Sequence, residues 1–176
     1  MGSTFALVAD NALCAENGYD ECQVCAARDR PVYLAPGMWG PPGVPPTYVY
    51  VACADCILSG QIAFDGAGDI VRSIRSHAAD PAAEQALLAR TPRLPRWVQD
   101  HDWPLCCGRL AEYIGEPTMA EAEALDRAGQ YWEYGPSTFD TPASALVPAE
   151  KLAVLGAVSA FRCRACARGL WIFQHT

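Results

Sequence analysis

No stretch of this sequence could serve as a membrane anchor or an export signal. Its apolar runs all fall short of the roughly 18 residues that a membrane-spanning helix needs. The start, MGSTFALVADNALC, lacks the basic segment and the apolar core of a signal peptide. Ala6 stands where N-myristoylation requires Ser or Thr. These absences predict a cytoplasmic protein without membrane contact.

Positive charge is also scarce. The 176 residues carry 13 Lys and Arg against 20 Asp and Glu, which gives a formal net charge of −7 and a pI near 4.8. A surface this acidic is repelled by the phosphate backbone, so nucleic-acid binding is disfavoured, whereas a basic protein partner is attracted. The length and the hydrophobic content of 51% suit one globular domain over residues 1–176, and we expect a monomer.

The sequence contains no recognisable catalytic constellation. Its three histidines do not form an H-x-x-x-H pair, and no Ser-His-Asp arrangement is visible. Ser59 lies in no nucleophile elbow. Side-chain nucleophiles therefore give no reason to predict an enzyme.

What the sequence does contain is nine cysteines, six of them in CxxC pairs. A CxxC turn holds two thiolates at the spacing that a tetrahedral Zn²⁺ accepts, and disulfides are disfavoured in a reducing cytoplasm. A thioredoxin-like redox motif would be a single pair in a βαβ setting, which is absent here. We therefore predict a structural zinc site closed by four thiolates: Cys22, Cys25, Cys53 and Cys56.

The third CxxC pair, Cys163 and Cys166, predicts a second zinc site that needs two further ligands. Cys106 and Cys107 are the obvious donors, although adjacent side chains seldom both reach one metal in comfortable geometry. One of them, Cys106 rather than Cys107, could be replaced by another ligand: His101, Asp102 or His175.

Two positions near the cysteine pairs carry expectations of their own. Gly169 follows the last pair and is expected to adopt the positive φ that a metal-binding turn requires. Cys14 is left outside the two predicted sites. A lone cysteine more often packs as a small apolar side chain than acts as a nucleophile, so no catalysis is predicted there.

Turn and cap residues divide the chain into segments. Residues 1–20 are expected to form an irregular arm, residues 22–60 the first zinc element, residues 80–130 a helical middle and residues 158–176 a zinc hairpin of strand, CxxC turn and strand. The predicted fold class is α+β, with zinc-ribbon-like β elements packed against two or three helices.

Local signals place the individual elements. Strands are predicted at 31–34 and 47–51, on either side of a Pro/Gly-rich loop, and a short helical turn should follow Cys53 and stop near Gly60. Asp80 is the predicted N-cap of a helix over 80–92, with Pro81 at its first position and Glu84 in its first turn. Further helices are predicted at 117–129 and 148–155.

Three motifs resemble those of the CbrC-type proteins, a small bacterial family. CADCILSGQIAFDG resembles the family stretch CPWCIADGxAxxxFDG. LLARTPRLPRWVQDHDWPLCCGRLAEYIGEP resembles a second signature with RTP, a Trp-Gln-like step, W-x-x-HC and CAFLG. FRCRACARGLWIF resembles the terminal FRCxxCGxxxLHxD. The three motifs occur in the family's order and together cover most of the chain.

The resemblance implies tolerance or immunity toward a protein toxin, because the family is linked to altered sensitivity to a nuclease colicin and has no assigned enzymatic activity. An acidic protein of this kind would bind a basic toxin through complementary charge. Two departures from the family pattern concern the second metal site: the family's His-Cys is Cys106-Cys107 here, and its next cysteine falls on Ala111.

Two other functions remain open from the sequence. A zinc-dependent hydrolase would use three ligands, Cys107, Cys163 and Cys166, and leave one position for an activated water. A regulatory or nucleic-acid-associated zinc module would need its arginines on one face; otherwise they balance the charge of the thiolate sites. The arginines concerned are Arg90, Arg93, Arg96, Arg162, Arg164 and Arg168.

One group of aromatic residues fits either the core or a binding surface, since Trp and Tyr concentrate binding energy. Packing in the core and anchoring of loops is the simpler interpretation. The group comprises Trp97, Trp103, Tyr131, Trp132 and Tyr134.

Overall fold

The computed structural model describes residues 2–65, 68–94, 103–118, 120–121, 132–133, 146–147 and 158–173. Within these ranges the chain is a mixed α+β protein, as predicted, with three α-helices, one short 3-10 helix and ten short strands. The helices are α1 Ala54–Leu58, α2 Gly68–His77 and α3 Pro81–Leu88. The strands are β1 Val32–Trp39, β2 Thr47–Cys53, β3 Ala63–Phe64, β4 Leu105–Cys106, β5 Arg109–Leu110, β6 Glu112–Gly115, β7 Trp132–Glu133, β8 Leu146–Val147, β9 Val158–Arg162 and β10 Gly169–Phe173.

The first sheet has the strand order β2-β1-β3, and all its pairs are antiparallel. β1 runs further than the predicted strand because the ladder tolerates Pro36 at an irregularity: the register with β2 shifts between Leu34 and Gly37. Gly37 is needed there, since a Cβ atom would lie 2.5 Å from the carbonyl oxygen of Ala63 on β3. Strand β3 can thus pack beside β1 only because residue 37 is glycine.

The helices follow their local signals, with one exception. α1 begins directly after Cys53, and the chain leaves it at Gly60, which has a φ of 69°. α3 has the predicted cap: the Asp80 carboxylate accepts a hydrogen bond from the N–H of Ala83 at 3.1 Å, and Pro81 opens the helix. α2 was not predicted from the sequence, although Ile70 and Ile74 recur at helical spacing and are both buried.

The second sheet has the order β10-β9-β6, again with antiparallel pairs. β9 and β10 are joined through the last CxxC turn, which confirms the predicted strand, turn and strand at this end of the chain. β4 and β5 form a separate two-residue hairpin, and β7 pairs with β8. Cys106 and Cys107 therefore lie on one hairpin, and Cys163 and Cys166 lie on another.

The N-terminal arm has little regular structure but lies in the interior. Phe5, Leu7 and Val8 are buried and belong to the same apolar core as both sheets and the helices α1 and α2. The N–H of Ala9 donates to the carbonyl of Tyr113 at 2.8 Å, and the N–H of Tyr113 donates to the carbonyl of Leu7 at 2.8 Å. The arm thereby extends the second sheet beside β6.

Part of the predicted organisation lies outside the described residues. Residues 120–121 are helical, but 122–131 and 148–157 are not described, so most of the two later helices falls there. Of the aromatic group, Trp103 is buried; its Nε1 donates to the carbonyl of Ala111 at 2.8 Å. Nothing is described of the other four side chains. Within the described ranges, no helix combines the length and the apolar content needed to cross a bilayer.

Candidate metal centres

The first cysteine pair sits on a tight turn stabilised by two backbone hydrogen bonds. The N–H of Cys22 donates to the carbonyl of Ala27 at 2.9 Å, and the N–H of Ala26 donates to the carbonyl of Cys22 at 2.8 Å. Ala26 has a φ of 58°, in the left-handed region. This reversal brings the thiol of Cys25 back toward that of Cys22.

The second pair is presented by the junction of β2 and α1. Cys53 is the N-cap residue of α1, and Cys56 lies one helical turn further on. The N–H of Cys53 donates to the Cys22 sulfur at 3.2 Å, and the Sγ atoms of Cys25 and Cys53 are 3.8 Å apart. All four Sγ atoms of this first cluster lie within 4.8 Å of one another. The structure thus brings together the four side chains that the sequence predicted.

The third pair repeats the turn of the first. The N–H of Cys163 donates to the carbonyl of Arg168 at 2.8 Å, and the N–H of Ala167 donates to the carbonyl of Cys163 at 3.0 Å. The left-handed residue is Ala167, with a φ of 61°. The expectation that Gly169 would adopt the positive φ is wrong, because this conformation falls on the residue directly after the second cysteine, and Gly169 already opens β10.

Cys106 and Cys107 both reach the second cluster because they sit on the β4–β5 hairpin. Successive side chains on a regular strand point to opposite faces. Here Cys107 and Gly108 have φ values of 53° and 68°, the pair of positive values typical of a two-residue type I′ turn. The turn carries the Cys107 thiol to the side of Cys106, with their Sγ atoms 3.9 Å apart.

The remaining geometry of the second cluster joins this hairpin to the last CxxC turn. The Sγ atoms of Cys106 and Cys166 are 3.7 Å apart. All four Sγ atoms of the second cluster lie within 4.8 Å of one another: Cys106, Cys107, Cys163 and Cys166. The alternative ligands considered from the sequence, namely His101, Asp102 and His175, lie outside the described residues.

In each cluster one thiol is prepared to ionise. Burial alone would raise the pKa of Cys22, but hydrogen bonds from backbone N–H groups, first that of Cys53, outweigh it and lower the pKa to about 7. At Cys163, burial is likewise outweighed by the N–H groups of Cys166 and Ala165, which lie 3.4 Å from its sulfur, and the pKa falls to about 7. Backbone donors directed at sulfur are the usual environment of metal-bound thiolates.

Further thiols in each cluster have a raised pKa. Burial, together with hydrogen bonding to neighbouring thiols, raises the pKa of Cys56 and of Cys106. Four thiols packed this closely cannot all lose their protons unless positive charge is placed among them. The donor set, its spacing and its backbone hydrogen bonds therefore fit a tetrahedral Zn²⁺ in both clusters.

The two clusters differ in exposure to solvent. In the first cluster Cys22 and Cys53 are buried, Cys56 is half-buried and Cys25 is exposed. In the second, only Cys163 is buried, whereas Cys107 and Cys166 are exposed. The second cluster is therefore the more accessible one to water and solutes.

A buried ion pair links the last CxxC turn of the second cluster to helix α3. Arg164, between the cysteines of the last pair, forms a salt bridge with Glu84 of α3, and both side chains are less than 10% exposed. Glu84 also accepts a hydrogen bond from the N–H of Leu110 at 3.0 Å, and Nε of Arg164 donates to the carbonyl of Leu110 at 2.7 Å. Sequence reasoning missed this role of Glu84, which it treated only as a first-turn helix residue.

Three of the six arginines considered for nucleic-acid binding make such contacts, and Arg96 lies outside the described residues. Arg162 pairs with Glu112 at 3.0 Å. Arg93 is buried over the Phe64 ring, donates to the carbonyl of Asp65, and burial lowers its pKa to about 10. Arg93 and Arg164 are therefore engaged in the interior, whereas Arg162 keeps 49% of its side chain exposed, and Arg90 and Arg168 are also exposed.

Comparison with known proteins adds a family. The model of "Uncharacterised protein family (UPF0167)" matches residues 8–174, a span that includes all eight clustered cysteines. No curated protein and no solved structure matches the chain significantly. The more specific resemblance to CbrC-type proteins stays a prediction, since no named relative supports it.

Proposed function

The chain belongs to the UPF0167 family, and we propose that it is a zinc-stabilised binding protein whose two cysteine clusters each hold a structural zinc ion. The observation that carries this proposal is the convergence of eight thiols into two groups of four, each with its Sγ atoms within 4.8 Å. A shell of four thiolates has no position left for water or substrate. The free energy of zinc binding then stabilises the fold.

The second cluster supports a structural role over a catalytic one. A hydrolytic zinc held by Cys107, Cys163 and Cys166 would need an open fourth position for a water molecule. Cys106 offers its sulfur at that position, 3.7 Å from the sulfur of Cys166. We therefore favour four protein ligands here and do not propose a zinc hydrolase.

The partner that best fits the chain is a basic protein, and specifically a protein toxin that the chain binds and neutralises. The net charge of −7 supports attraction of a basic partner. The resemblance of three motifs to CbrC-type proteins supports toxin tolerance. The described arginines that pair with carboxylates argue against nucleic acid as the partner.

Metal analysis of protein purified under reducing conditions without chelators tests the structural part. We expect two zinc ions per chain, one after Cys163→Ser, and two after Cys14→Ser, because Cys14 belongs to neither cluster. A chain that binds no metal and still melts cooperatively would contradict the proposal.

Protection of cells tests the binding part. Cells that express the wild-type chain should survive a nuclease toxin that kills cells expressing an unrelated control protein. The purified chain should bind that toxin more weakly as the salt concentration is raised. If the chain protects against none of the toxins encoded near its gene, toxin neutralisation is refuted. The proposal of two zinc sites is not affected by that result.

A further inference from the structure

The large apolar side chains exposed in the described residues are concentrated in one place. Six such side chains are exposed, and only one of them, Leu58, belongs to a helix. The other five lie on the β1–β2 hairpin or beside it: Tyr19, Met38, Val44, Tyr48 and Tyr50. Single exposed apolar residues are ordinary, but a contiguous patch marks an interaction site.

These side chains share one face of the hairpin. Met38 and Tyr48 are directly paired across β1 and β2, so they project from the same side of the sheet. Tyr50, two residues along β2, lies on that side too, whereas Val49 faces the core and is buried. The Tyr19 ring lies 5.8 Å from the Tyr50 ring and extends the patch. We call this surface the tyrosine face.

The tip of the hairpin is a rigid extension of the tyrosine face. Between β1 and β2 the loop contains four prolines, and all of its residues from 41 to 46 are exposed. The N–H of Val44 donates to the carbonyl of Pro41 at 3.1 Å, and Gly43 has a φ of 83°, as the third residue of such a turn requires. A loop fixed in this way loses little conformational entropy when a partner binds.

The outer edge of β2 is partly closed to strand addition. Gln23 covers it: its N–H donates to the carbonyl of Val51, and its Oε1 accepts from the N–H of Tyr50 at 2.6 Å. A partner would therefore approach the face of the hairpin and contact side chains instead of pairing with the edge near Tyr50.

Exposed carboxylates lie at the tyrosine face, and each is also within electrostatic range of an arginine: Asp65 of Arg93, and Asp20 of Arg28. Burial, followed by a hydrogen bond with Asp65 and the charge of its carboxylate, raises the pKa of Tyr48, so Asp65 lies beside the Tyr48 hydroxyl. Asp20 is exposed directly after Tyr19. Aromatic rings next to carboxylates attract arginine and lysine through cation–π contacts and ion pairing.

We propose that the tyrosine face, formed by Tyr19, Met38, Tyr48 and Tyr50, is the docking surface for a basic segment of a partner protein that carries arginine among apolar side chains. This inference rests on the proposed function as a binding protein and adds the surface used. Tyrosine and arginine are both enriched among the residues that dominate binding energy at interfaces. Apolar contact would supply affinity, and the carboxylates would select positive charge.

The test uses the zinc-replete full chain and two synthetic peptides, one alternating arginine with leucine and one alternating glutamate with leucine. We expect binding of the arginine peptide only, measured by calorimetry. Tyr48→Ser and Tyr50→Ser should each weaken it at least about tenfold, as loss of an interface hot spot does. Leu58→Ser, the matched control at the remaining exposed apolar side chain, should stay within about twofold of wild type.

Zinc content and melting temperature establish that each variant is folded before binding is compared. If both tyrosine variants bind the arginine peptide as wild type does, the tyrosine face is refuted while binding of basic partners stands. If wild type binds the two peptides equally or binds neither, the inference is refuted outright. Since no toxin is present, the cell-protection result bears separately on the proposed function.

Discussion

Replacing Glu84 by alanine should destabilise the protein more than any other single change to an ion pair in the described chain. Glu84 and Arg164 are both almost fully buried, at 7% and 9% side-chain exposure. The substitution removes the partner of a buried guanidinium and leaves the N–H of Leu110 without its acceptor. Neither group can be rehydrated without opening the contact between α3 and the second cluster.

The size of the stability loss follows from the unpaired charge of Arg164 that the substitution leaves in the interior. Breaking a buried ion pair by removing one partner costs about 3–5 kcal/mol, because an uncompensated charge stays in the interior. That is a large share of the roughly 5–15 kcal/mol by which a domain is stable. The Arg162–Glu112 pair should matter less, since Arg162 is 49% exposed and can be hydrated when Glu112 is replaced.

Urea unfolding at a fixed, buffered zinc concentration measures this effect, since zinc bound to the folded state contributes to the apparent stability. Glu21→Ala, which breaks the exposed pair with Arg28, serves as the control and should change stability little. Adding Arg164→Met to Glu84→Ala should recover part of the loss, as the stranded charge is then gone. A cost below about 1 kcal/mol for Glu84→Ala, or no recovery in the double variant, would refute the reasoning.

Three further predictions concern the cysteine turns. Ala167→Gly should raise the stability by about 0.5–1 kcal/mol in thermal unfolding, because glycine adopts the left-handed conformation without the strain that alanine bears; an unchanged or lower melting temperature would contradict this. Gly108→Ala should lower zinc occupancy toward one ion per chain in metal analysis, since its φ is 68° and its Cβ would lie 2.9 Å from the backbone nitrogen of Ala79; full occupancy would show that the hairpin adapts. Cys53→Ser should unfold or aggregate in light-scattering and circular-dichroism assays, whereas Cys14→Ser should not, and a well-folded Cys53→Ser protein with both metals would disprove the structural role of the first cluster.

Elements with short-range determinants could be predicted from the sequence. The cap of α3 depends on Asp80 and Pro81 alone, and the stop after α1 depends on Gly60. The CxxC spacing fixes the local bite of two thiols whatever surrounds it. These features are determined by residues close to one another in the sequence, so the local sequence pattern was enough to predict them.

Features that depend on distant residues could not be predicted. Glu84 and Arg164 are 80 positions apart, and nothing in the helix pattern around Glu84 indicates burial. The joint reach of Cys106 and Cys107 depends on two successive positive φ values and on the close approach of Gly108 to Ala79. The expectation at Gly169 failed for a different reason: it relied on residue type, whereas the backbone hydrogen bonds of the turn decide which residue is left-handed.

The seating of the N-terminal arm against β6 has a consequence for synthesis on the ribosome. The first four thiols are complete once Cys56 has emerged, but the strand that pairs with the arm at Leu7, Val8 and Ala9 arrives only with Tyr113, and the last thiols later still. For much of translation the nascent chain therefore has its first metal site complete while apolar residues of the N-terminal arm are still uncovered. Such a chain is prone to aggregate. A chaperone that shields the first dozen or so residues would act at the stage when the chain is most vulnerable.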